Sequence, residues 1–93
     1  MTHYKHHLQF RQTGWGGLNA ATDHKSMIKE VEYLIKDPNL GMQNLRFKIT
    51  RVKKVKTNEY KVYIRGSRNA LLRIIENWGY SQYYTLNGVR KVT

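Results

Sequence analysis

From Tyr4 to Arg11 the chain partly alternates, with Leu8 and Phe10 on one side and Lys5, His7, Gln9 and Arg11 on the other. A period of two predicts a half-buried strand. Thr13-Gly14-Trp15-Gly16-Gly17 then interrupts regular structure, because glycines clustered this closely permit unusual backbone angles. Trp15 in such a loop reads as a lid over the core rather than a platform for a ligand.

The period next lengthens. Met27, Ile28, Val31, Leu34 and Ile35 form the stripe of an amphipathic helix. Asp23 is its N-cap, Glu32 and Lys36 make a favourable i,i+4 pair, and Asp37-Pro38 stops it. A loop over 39–44 follows. Leu45, Phe47 and Ile49 then alternate with Arg46, Lys48 and Thr50, and the apolar phase slips to Val52. That slip predicts a strand with a β-bulge near Thr50-Arg51.

Thr57-Asn58 supplies a turn into a third strand, where Tyr60, Val62 and Ile64 alternate with Lys61, Tyr63 and Arg65. Leu71, Leu72, Ile74, Ile75 and Trp78 mark a second helix, capped by Ser67 and stopped at Gly79. Finally Gln82–Leu86 and Val89–Val92 flank Asn87-Gly88, a strong hairpin signal.

The order β-α-β-β-α-β predicts an α+β fold, a ferredoxin-like sandwich with an antiparallel sheet and both helices on one face. The last strand is open to folding back as a small hairpin. The helices need the apolar side of the strands, which assigns Leu8, Phe10, Leu45, Phe47, Ile49, Tyr60, Val62 and Ile64 to the core.

Composition narrows the function. Ninety-three residues suit one domain over 1–93. The absence of cysteine excludes disulfides, thiolate metal sites and a Cys nucleophile. The amino-terminal MTHYKHHLQF has no secretory h-region, and no apolar run reaches the roughly 18 residues of a membrane span, so a soluble, cytoplasmic protein is expected.

Charge says more. Residues 46–93 carry twelve Lys/Arg against two acids, a net +10, whereas residues 1–45 carry five against four. A one-signed field draws in polyanions. The open side of the predicted sheet would show His7, Gln9, Arg11, Arg46, Lys48, Lys61, Tyr63 and Arg65. With the bulge in place, Lys48 faces Arg65, Arg51 faces Tyr63, and Lys53 faces Lys61. Like charges directly opposite destabilise a sheet by up to about 1 kcal/mol per pair, so such rows imply an anion on that face. The structural alternative is a solvated basic surface that discourages aggregation.

Arg65-Gly66-Ser67-Arg68 at the mouth of the second helix suits one backbone phosphate, or else is plain N-capping by Ser67. Of the tyrosines in the basic half, Tyr63 is the expected stacking residue; the two-motif signature of an RNA recognition motif is absent. His3, His6 and His7 do not converge from a strand, so neither a metal nor a cofactor is expected. No pair of acids is spaced for catalysis.

The expectation is a small non-enzymatic nucleic-acid-binding protein, RNA slightly preferred over DNA. Arg46, Lys48, Arg51, Lys53, Lys54, Lys61, Arg65 and Arg68 would hold phosphates, with Ser67 assisting and Tyr63 stacking. The alternatives are an inhibitor or adaptor on an acidic protein surface, and a small metal-free ribonuclease. A homodimer through an exposed strand edge stays open.

Overall fold

The computed structural model describes residues 5–20, 23–37, 39, 41, 44–78 and 83–92. Five strands form one antiparallel sheet: β1 (His6–Thr13), β2 (Phe47–Lys56), β3 (Glu59–Gly66), β4 (Tyr83–Leu86) and β5 (Val89–Val92), in the order β2-β3-β1-β4-β5. Two helices, α1 (His24–Ile35) and α2 (Arg68–Trp78), join the strands. The class is α+β, and the last strand does fold back as a hairpin. Among the described residues no helix is long and apolar enough to cross a membrane.

Alternation is what builds the sheet. In β3, Tyr60, Val62, Ile64 and Gly66 are buried while the residues between them are not. Their partners continue the pattern: Leu8 and Ile49 pair with Ile64, and Phe10 and Val52 pair with Val62. These side chains form one cluster with Val31 and Ile35 of α1 and Ala70, Leu71 and Ile74 of α2. Both helices therefore cover the same side, and no helix among the described residues covers the other, the open side of the sheet. Leu45, expected in the core, is only half-buried and packs at its margin.

The caps follow the sequence. The Asp23 carboxylate accepts the Ser26 N–H at 2.7 Å, and this bond holds its carboxyl below the ordinary 3.8. Lys36 reaches Glu32 at 3.3 Å. The Ser67 hydroxyl accepts the Ala70 N–H at 3.2 Å. Asn87 and Gly88 both take positive φ, 53° and 82°, as a tight hairpin between right-twisted strands requires. Asn87 also fastens the sheet: its N–H donates to the His7 carbonyl, and its side-chain oxygen accepts the His7 N–H at 3.0 Å.

Two segments differ from expectation. β1 begins at His6 and runs through Thr13, because Gln12 and Thr13 pair with Tyr60 and Glu59. Gly16–Ala20 is not irregular but a 3-10 turn that buries Leu18 beside Trp15, 3% and 8% exposed. Of the three glycines only Gly14 uses a positive φ, 89°. The expected Gly79 stop and the Gln82 strand start lie outside the described residues.

Candidate nucleic-acid interface

The bulge decides which cations share a face. Ile49 opposes Ile64 and Arg51 opposes Tyr63, so Thr50 and Arg51 together span one partner residue. Were Thr50 instead paired regularly with Tyr63, Val52 would oppose Lys61 and leave the core. With the bulge, Arg51 and Lys53 join Lys48 on the open side. Thr50 Oγ1 donates to the Tyr63 carbonyl at 3.2 Å, tying the bulge to β3.

Three cross-strand rows result. The first is Lys48, Arg65 and His7. The second runs over all five strands: Arg51, Tyr63, Gln9, Thr85 and Arg90. The third is Lys53, Lys61 and Arg11. At the far end Glu59 lies 3.8 Å from Arg11 and 3.6 Å from Lys56. Among the described residues of this face, eight Lys/Arg (Arg11, Lys48, Arg51, Lys53, Lys56, Lys61, Arg65 and Arg90) stand against one acid, Glu59. The Arg51 guanidinium lies 5.9 Å from the centroid of the half-buried Tyr63 ring.

Six of the ten expected site residues thus meet on one surface: Lys48, Arg51, Lys53, Lys61, Tyr63 and Arg65. Arg46 precedes β2, is exposed, and shares the phase of Lys48. Lys54 is placed differently. It pairs with Tyr60 in the phase of Val52, on the helix side, and a second register shift between Lys54 and Lys56 returns Lys56 to the open side. That second irregularity breaks no apolar run, so the sequence gives no sign of it.

Ser67 and Arg68 follow β3 as the chain turns into the helix layer, so they border the face rather than belong to it. The purely structural reading accounts for Gly66 and for the Ser67 hydroxyl. A Cβ on Gly66 would sit 2.8 Å from the Arg46 carbonyl oxygen and 2.9 Å from Phe47 Cβ. Ser67 donates its N–H to that same carbonyl while its hydroxyl caps the helix.

Sequence reasoning missed Thr85, and left Gln9, Arg11 and Arg90 out of the site. The Asn87-Gly88 turn fixes Thr85 opposite Arg90, but only the pairing of Phe10 with Tyr84 shows which side of β4 faces the helices. His7 lies in the open-face phase, whereas the half-buried His6 ring has Nδ1 2.9 Å from the Asn87 side-chain nitrogen. His3 lies outside the described residues. Comparison with protein-family models, curated proteins and solved structures finds no match to this chain.

Proposed function

We propose that this is a non-enzymatic nucleic-acid-binding protein that holds a phosphate backbone on the open face of its sheet. One observation carries the reading: among the described residues, eight cations from four strands (β1, β2, β3 and β5) share a surface with a single acid. Each like-charged pair, Lys48 with Arg65 and Lys53 with Lys61, disfavours the free sheet, and a polyanion reverses the sign of that interaction. Arg46 and Arg68 extend the charge at the end nearest α2.

The strand order and the two helices on one side fit a ferredoxin-like sandwich carrying β5 as an added edge strand. A cytoplasmic location suits both a cysteine-free chain and this partner.

Affinity measured across a salt series tests the proposal. With about six phosphates neutralised, log K falls against log salt with a slope of roughly −4 to −5. A flat salt dependence would remove the proposal, and capture of an acidic protein that survives nuclease treatment would favour a protein-binding role for the same charges.

A further inference from the structure

The middle of the open face is not basic. Tyr63, Gln9 and Thr85 lie side by side on β3, β1 and β4, uncharged and half-buried, and the row they form ends in Arg51 and Arg90. The two cation rows run on either side. With about 4.8 Å between strands and about 6.7 Å per two residues, the neutral patch spans about 10 Å and its flanking rows stand about 13 Å apart. An occupant matching this pattern is flat, uncharged and hydrogen-bonding at its centre and anionic at its margins.

We propose, on the footing of the nucleic-acid reading above, that this patch seats an unpaired base of single-stranded RNA. The base stacks on Tyr63, and the flanking rows take the phosphates on either side of it. A duplex does not suit the patch, because its bases are already stacked and its outer surface is phosphate. The Arg51 guanidinium lies 5.9 Å from the centroid of the Tyr63 ring; with a base in that seat, Arg51 turns to a phosphate. Gln9, next to Tyr63, and Thr85, one strand further on, each offer a donor and an acceptor, the pair that a ribose 2′-hydroxyl engages and deoxyribose lacks.

The test uses the full chain with fluorescently labelled ten-nucleotide oligomers: oligo-U RNA, the same backbone with every base removed, oligo-dT DNA and duplex RNA. The base-bearing RNA is expected to bind at least about 10-fold tighter than its abasic counterpart. Tyr63→Ala should close that gap without changing the salt slope, while Tyr63→Phe, which keeps the ring, retains it; circular dichroism confirms that both variants are folded. Equal, salt-sensitive binding of the intact and abasic oligomers would overturn the base seat and leave the phosphate reading standing. Duplex RNA binding as tightly as single strands would overturn it too, and DNA equal to RNA would remove the 2′-hydroxyl contact and with it the RNA assignment. No binding of any oligomer at low salt would take down the nucleic-acid reading itself.

Discussion

Gly66 is glycine for lack of room, not for an unusual φ. The Arg46 carbonyl and Phe47 Cβ approach to where a Cβ would be, at 2.8 and 2.9 Å, and both belong to the chain at the start of β2 rather than to a flexible side-chain tip. Gly66→Ala must therefore push β2 off β3 just where Ser67 also bonds the Arg46 carbonyl. We expect a loss of about 1–3 kcal/mol, read as a lower urea midpoint with an unchanged m-value. A variant as stable as the parent would show that the two strands separate there at no cost. Tyr60 is a second position defined by its surroundings. Its hydroxyl donates to Asn19 Oδ1, and burial raises its pKa above the ordinary 10.0. Because the folded protein keeps that proton longer than the unfolded chain, stability falls as pH rises past 10.0.

β2 is the strand on which the basic face depends. Its bulge at Thr50-Arg51 keeps Ile49 and Val52 both in the core although an odd–even count separates them. Deleting Thr50 leaves Ile49, Arg51 and Val52 as a regular run opposite Ile64, Tyr63 and Val62. The variant should fold cooperatively, lose only about 1 kcal/mol with the Thr50 hydrogen bond, and keep the salt slope of the parent. Deleting Lys48 instead moves Phe47 to the solvent side and should abolish cooperative unfolding. Thermal melts of the two deletions decide the matter, and equal damage from both would show that the bulge is not a register device.

Charge is layered through the molecule. The helices with their flanking residues 23–37 and 68–78 carry five Lys/Arg and five acids, so the excess positive charge belongs to the strands and connecting segments. Lys61 stands between Lys53 and Arg11 in the row where crowding is worst. Lys61→Gln should raise the melting temperature of the free protein at low salt by a few degrees, as relief of up to about 1 kcal/mol per like-charged pair implies. The same change should weaken RNA binding and make the salt slope shallower by about 0.7. Stability and affinity moving in opposite directions is the signature of a face held in tension for a ligand. Both falling together would make Lys61 a structural lysine.

Local chemistry was enough to specify the helices, their Asp23 and Ser67 caps, the Asn87-Gly88 turn and the first bulge, because each depends on residues within a few positions of one another. The same reasoning aligned Lys48, Arg51 and Lys53 with Arg65, Tyr63 and Lys61, since a hairpin's register follows from its turn and its apolar phase. Long-range pairing decided the rest. Placing β1 between β3 and β4 set Gln9 beside Tyr63 and Thr85 and so brought Arg90, paired with Thr85, to the end of their row. The contacts that Gln9 makes with Tyr63 and Thr85 join residues 54 and 76 positions apart. No periodicity in the chain records them, because burial, not local preference, selects which strand edges meet.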